Sequence, residues 1–145
     1  MIAVDTNILV YAHRCESPFH RQAAALVRKL AEGARRWALL WPCLYEFLAI
    51  TTHPRISRPP TPAEHALAQL EAWVRSPSAT LLAERAETFE DLLDLARTGE
   101  VTGPRFHDAK IAALAVHHGI EVLWTADRDF GRFPTLRTEN PLVKR

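Results

Sequence analysis

The chain has 145 residues, long enough to bury a sizeable core in one domain spanning 1-145, and its 48% hydrophobic, 24% charged composition is that of an ordinary soluble globular protein. A net charge of +1 supplies no global basic field, so a nucleic-acid partner would have to be held by a local patch. The two cysteines, Cys15 and Cys43, lack C-x-x-C spacing, and no apolar run has the length of a membrane span or the pattern of a signal peptide; a reduced, cytoplasmic setting is the simplest expectation, with no membrane partner.

Residues 1 to 4 read as a short buried strand cut off by Asp5-Thr6-Asn7, after which Ile8 to Ala12 form a short helix. From His20 to Glu32, Ala23, Leu26, Val27, Leu30 and Ala31 recur at helical spacing, and Gly33 follows as a stop. Ala38 to Trp41 is a candidate second strand, and Pro42 suits the first turn of a helix running from Cys43 to about Thr52. His53 to Pro60 is a loop rich in Pro and Arg. Thr61-Pro62-Ala63-Glu64 has the pattern of a capping box opening a helix through Leu67, Leu70 and Val74. Thr80 to Leu82 reads as a third strand, and Phe89, Leu92, Leu93 and Ala96 mark a helix stopped near Gly99. A further helix runs from about Phe106 to His118, then Val122 to Thr125 reads as a fourth strand and Leu136 to Thr138 as a short fifth. Strands alternating with helices predict one α/β domain with a mostly parallel sheet.

Acidic residues interrupt this plan in places that ought to be apolar. Asp5 stands at the carboxyl end of the first strand, where ligands gather in open α/β sheets, although Asp-Thr-Asn is also ordinary helix-cap chemistry. Glu46 lies in a helix that is apolar nearly all round, which predicts burial on most sides and a need for a partner, either an Arg or a bound cation. Asp108 sits in a helix's first turn, where the dipole favours it, yet it aligns with the apolar stripe of Ile111, Ala112 and Ala115. Asp127 follows the fourth strand as Asp5 follows the first. Asp129 is expected to cap the turn before Phe130. His107 beside Asp108 reads as a surface or capping residue within reach of a substrate.

Carboxylates packed together repel one another, and each is pushed toward protonation unless a cation compensates. Oxygen donors suit Mg2+ or Mn2+ rather than zinc, and such ions serve phosphate chemistry. There is no G-x-S-x-G and no glycine-rich phosphate loop.

Val4-Asp5-Thr6-Asn7, Glu46, Asp108 at the start of an Ala-rich helix, and Thr125-Ala126-Asp127-Arg128-Asp129-Phe130 together resemble the PIN-domain ribonucleases, and more narrowly the VapC toxins of prokaryotic toxin–antitoxin pairs. The likeness extends to Thr52-His53-Pro54-Arg55, to Asp129-Phe130-Gly131-Arg132-Phe133 and to Glu139-Asn140-Pro141-Leu142, and so spans essentially the whole chain. It implies a three-layer α/β/α sandwich with a five-stranded parallel sheet, and Mg2+- or Mn2+-dependent endonuclease activity on RNA. The family's catalytic quartet carries over to Asp5, Glu46, Asp108 and Asp127. Asp5 and Asp108 become the most direct metal ligands, while Glu46 and Asp127 bind a second ion or orient the attacking water. Thr6, Asn7 and Thr125 match supporting polar positions, and Asp129 an auxiliary acid. A cognate antitoxin and a homodimer are the partners implied, with the helices around Leu44–Ile50 and Leu67–Val74 as a dimer face or as core. Arg55, Arg58, Arg105, Arg128 and Arg132 lie in loops or turns from which they could hold RNA phosphates. Two rival readings stand beside this one: another magnesium-dependent phosphoryl hydrolase, acting on DNA or on phosphomonoesters, and a non-catalytic metal-binding interaction domain.

Overall fold

A computed structural model describes residues 1–144. In chain order the elements are β1 (Ile2–Val4), α1 (Thr6–His13), α2 (His20–Glu32), β2 (Trp37–Leu40), α3 (Trp41–Thr51), α4 (Ala63–Val74), β3 (Ala79–Leu82), α5 (Thr88–Thr98), α6 (Phe106–His117), β4 (Val122–Trp124) and β5 (Thr138–Glu139), with short 3-10 turns at Gly103–Arg105 and Arg128–Arg132. The sheet is parallel throughout, in the order β3-β2-β1-β4-β5.

Side-chain alternation along the strands divides the core into two layers. Ile2 and Val4 of β1, Trp37 and Leu39 of β2, and Val122 of β4 face one side, where they pack with Ile8 and Leu9 of α1, Val27 and Leu30 of α2, Phe47 of α3 and Trp73 of α4. Ala3, Ala38, Leu40 and Leu123 face the other side and meet Leu95 of α5 and the buried run Ile111–Ala115 of α6. Continuous burial of both faces is what makes these strands apolar at every position. Small residues on α6 and the facing alanines of the sheet let that helix lie close. Gly119, at φ +64, takes the left-handed conformation that lets the chain leave α6. The result is the three-layer α/β/α sandwich anticipated from the sequence.

The chain runs outward from β1 to β2 to β3, then crosses back to lay β4 and β5 on the opposite flank of β1. The carboxyl ends of β1 and β4 therefore flank the topological switch point, the usual binding edge of such sheets. Among the described residues no helix is long and apolar enough to cross a membrane.

Several local expectations need correction. Trp41 does not close the second strand; it opens α3, because Pro42 is placed in that helix's first turn. The capping box at Thr61 does not form: α4 begins without a side-chain cap, and the Thr61 hydroxyl instead meets His13 Nε2 at 3.2 Å and accepts from Arg14 Nη1 at 3.1 Å. The last strand is Thr138–Glu139 rather than Leu136–Thr138, since Leu136 is drawn into the core beside Phe133.

Candidate metal centre

The site grows from the ends of β1 and β4. Asp5 is the first residue past β1 and caps α1, and its side chain is 4% exposed. Its two oxygens receive four donors. Oδ1 takes the Thr6 amide at 2.7 Å and the Cys43 thiol at 3.6 Å; Oδ2 takes the Thr125 hydroxyl at 2.7 Å and the Asn7 amide at 3.1 Å. Thr125, the first residue past β4, also accepts from Asn7 Nδ2 at 3.2 Å and from the Asp127 amide at 3.0 Å, while Asn7 Oδ1 accepts from the Ala126 amide. The cap reading and the site reading of Asp5 thus describe the same bonds, for the donors that start α1 also hold the carboxylate in place.

Asp127 is N-cap to the 3-10 turn Arg128–Arg132, its Oδ1 accepting from the Asp129 amide at 2.8 Å. The cap expected of Asp129 is therefore supplied by Asp127, and the Asp129 carboxylate turns to Arg105 Nη1 at 3.0 Å. Asp108 stands half-buried in the first turn of α6. Asp108, Asp127 and Asp129 each bring a carboxylate oxygen within 4.8 Å of the others, a spacing at which one cation can bridge them.

Glu46 departs from expectation. It is exposed, because α3 turns Tyr45, Glu46 and Ala49 away from the core and toward an open cleft. It is still tied to the site, accepting the Thr6 hydroxyl at 3.1 Å, and its charge acts on Asp5.

The electrostatics favour a cation. Burial raises the Asp5 pKa above the ordinary value, opposed by the Thr125 and Thr6 hydrogen bonds and reinforced by Glu46. Asp108 is pushed up to about 6, first by desolvation, then by the charges of Asp127, Asp5 and Asp129, with Arg105 pulling the other way. Carboxylates arranged so as to resist ionisation match the chemistry of an oxygen-rich site for a hard divalent ion.

Two open cavities meet at Asp108. One, of about 580 Å³, lies between α3 and α6, with Tyr45, Glu46, His107 and Lys110 in its wall. The other, of about 510 Å³, is walled by Thr102–Arg105, Asp108 and Asp129. Of the five arginines singled out in the sequence, Arg105 alone lines either cavity. Arg55 and Arg58 stand exposed in the loop after α3, Arg128 is exposed, and Arg132 donates to the Gly99 carbonyl at 3.4 Å. Cys43 escaped the sequence reading. Its spacing of three residues before Glu46 on one helix was the available signal, because it brings both side chains to the start of α1, where Cys43 meets Asp5 and Glu46 meets Thr6. Lys110 escaped too, though it follows His107 by the same helical step.

Comparison with known proteins finds a matching family model, similar sequences and a shared fold. The PIN domain family model matches residues 2–136. The chain is 32% identical over 137 residues to Ribonuclease VapC48 of Mycobacterium tuberculosis, covering 94% of each, and 31% identical over 142 residues to Ribonuclease VapC33 of the same organism, covering 98% of this chain and 99% of the relative. The crystal structure of VapBC2 from Rickettsia felis, bound to a DNA fragment from their promoter, shares the fold, with a TM-score of 0.66 at 21% identity, over 96% of this chain and 98% of that one.

Proposed function

Because this chain belongs to the PIN-domain family, we propose that it is a divalent-metal-dependent endoribonuclease, a single nuclease domain that acts in the cytoplasm as the toxin of a toxin–antitoxin pair. The observation that carries the reading is the convergence of Asp108, Asp127 and Asp129 beside the buried Asp5. That constellation supports phosphoryl chemistry, because clustered carboxylates with raised proton affinity suit a hard divalent ion.

In this reading Asp5, Asp108 and Asp127 hold Mg2+ or Mn2+, with Asp129 as an auxiliary ligand. An ion there supplies Lewis-acid activation of water and neutralises charge on a phosphodiester. The residues supply geometry. Thr6, Asn7 and Thr125 fix the orientation of the Asp5 carboxylate, and a cation there would take the place of one of these donors. Glu46, exposed and oriented by the Thr6 hydroxyl, is placed to orient the attacking water and take its proton. Arg105, at the edge of the second cavity, holds a neighbouring phosphate. Water adds to phosphorus, the bond to the departing ribose oxygen breaks, and that oxygen leaves with a proton.

The named VapBC assembly supports a cognate antitoxin as inhibitor, and a homodimer is the assembly we assign. The test compares RNA, single-stranded DNA and a phosphomonoester, with Mg2+ or Mn2+, for the wild type and Asp5→Asn. RNA cleavage that needs the metal and vanishes in Asp5→Asn is expected. Preference for DNA or the monoester would move the assignment to another phosphoryl hydrolase, and saturable Mn2+ binding without cleavage of any substrate would point to a non-catalytic domain.

A further inference from the structure

We propose that the cavity between α3 and the start of α6 is a subsite for the base of an unpaired ribonucleotide flanking the cut bond, and that Tyr45 is the face on which this base stacks. The inference rests on the ribonuclease reading and adds to it where sequence preference is built.

Tyr45 is unusual for its helix. Leu44 and Phe47, close by on the same helix, are wholly buried, whereas Tyr45 is 65% exposed at the rim of the cavity. Its ring is not loose. Trp41, one helical turn earlier, lies against it with centroids 5.6 Å apart and planes inclined by 32°, which backs one side of the ring and leaves the other open. The next residue is Glu46, and Asp108 lies in the same wall, so the cavity opens directly from the acidic centre.

Across from Tyr45, α6 presents His107, Lys110 and Ile111, spaced i, i+3, i+4 and thus on one face. Among the described residues neither His107 nor Lys110 takes part in an ion pair with a carboxylate. Among the described residues Lys110 is the one Lys or Arg in the lining, a cation at the border of a site whose other charges are negative. A phosphate approaching those acids needs such a counter-charge. An aromatic plane opposite a lone cation is the pattern that recognises single-stranded RNA, where splayed bases stack on rings while the backbone is held by charge. The volume, about 580 Å³, falls within the range of sites that enclose a small ligand. Among the described residues the cavity on the far side of Asp108 is lined by Arg105 and by no aromatic side chain, so it suits the backbone. A strand crossing Asp108 would therefore be read on the Tyr45 side and gripped on the other. An apolar protein helix fits less well, since it would cover Glu46, Asp108 and Lys110 together.

The experiment walks a single abasic nucleotide across an RNA cleaved by the wild-type protein and compares kcat/KM for wild type, Tyr45→Ala, Tyr45→Phe and Tyr45→Trp. Wild type should lose roughly 5- to 100-fold at one abasic position beside the cut. Tyr45→Ala should show that loss already on intact RNA and be indifferent to the abasic site, while Phe and Trp keep the wild-type profile. Fluorescence anisotropy without divalent ion should give the same ordering of RNA affinity, with Mn2+ affinity unchanged in all variants. If Tyr45→Ala cleaves RNA with the wild-type abasic profile, the subsite is overturned and the ribonuclease reading stands. The same holds if it keeps that profile but alters the sedimentation mass, which would assign the ring to a protein contact. A wild type that cleaves no RNA overturns both.

Discussion

Thr125 gives its hydroxyl hydrogen to Asp5 Oδ2 at 2.7 Å, joining residues 120 positions apart at the ends of two neighbouring parallel strands. The bond is buried, and Thr125 Oγ1 in turn accepts from Asn7 and from the Asp127 amide, so one hydroxyl sets the distance between two acids. Thr125→Val preserves shape and removes the bond. It should lower Mn2+ affinity and RNA cleavage by about 10- to 100-fold, as loss of outer hydrogen bonds to metal ligands does. Thr125→Ser should restore most of both. Calorimetric titration alongside an RNA digest checks it, and equal metal affinity in Val and Ser variants would refute the role.

Asp5→Asn is expected to abolish metal-dependent cleavage while the protein stays folded. The amide fills the same space in the same buried setting, but its NH2 faces donors on both sides, and it brings no charge to a cation. Loss of one or two of these bonds costs on the order of 1–3 kcal/mol, within the range that a domain of this size survives. Circular dichroism should show native helix content with a lowered Tm. Undiminished cleavage by a clean preparation would remove Asp5 from the machinery.

Asp108 makes the metal-free protein sensitive to pH. Its folded pKa of about 6 lies above the ordinary 3.8, so the folded state binds the proton more tightly than the unfolded state. The strain of its charge is therefore fully present above about pH 6 and is relieved as pH falls through 6 toward 4. His13 tilts the other way, because burial holds its pKa below the ordinary histidine value and acid must charge it. The comparison that isolates Asp108 is wild type against Asp108→Asn in EDTA. The variant should melt higher than wild type at pH 7.5, and the gap should narrow to roughly a third by pH 4.5 and close only as pH falls below the ordinary 3.8. A gap that stays constant across this range would contradict the raised pKa.

Much of the site was legible because it sits at boundaries that composition marks. Asp5 and Asp127 each follow an apolar run, and the end of a buried strand can be read from where that run stops. Asp108 was legible from its alignment with a helical stripe. The adjacency of β1 and β4 is a property of the topology, which puts β4 back across the sheet beside β1, and no spacing within the chain encodes it. Glu46 misled for a physical reason: an all-apolar helix surface reads as burial, but the face carrying Tyr45 and Ala49 borders a cleft instead of the core. Trp41 misled because a strand and the helix that follows it share one apolar run, and only Pro42 marks the change. Thr61 carries the right residue type for a cap but finds His13 and Arg14, which no local pattern reveals.

The pair formed by Arg105 and Asp129 should matter little to stability and measurably to RNA. Asp129 is exposed and Arg105 partly so, their contact is 3.0 Å, and ion pairs near the surface contribute about 0–1 kcal/mol. Arg105→Ala should accordingly lower the Tm by no more than about 4 °C. Arg105 also faces the second cavity, where its charge tempers Asp108 and meets any phosphate passing that acid. Its loss should weaken RNA binding across sequences and flatten the dependence of log affinity on log salt by about one ion. Asp129→Asn frees Arg105 without removing it, so that variant should bind RNA at least as tightly as wild type. Anisotropy titrations over a series of salt concentrations measure both slopes. An unchanged slope in Arg105→Ala would mean that the guanidinium serves Asp129 and Asp108 alone and makes no contact with the RNA backbone.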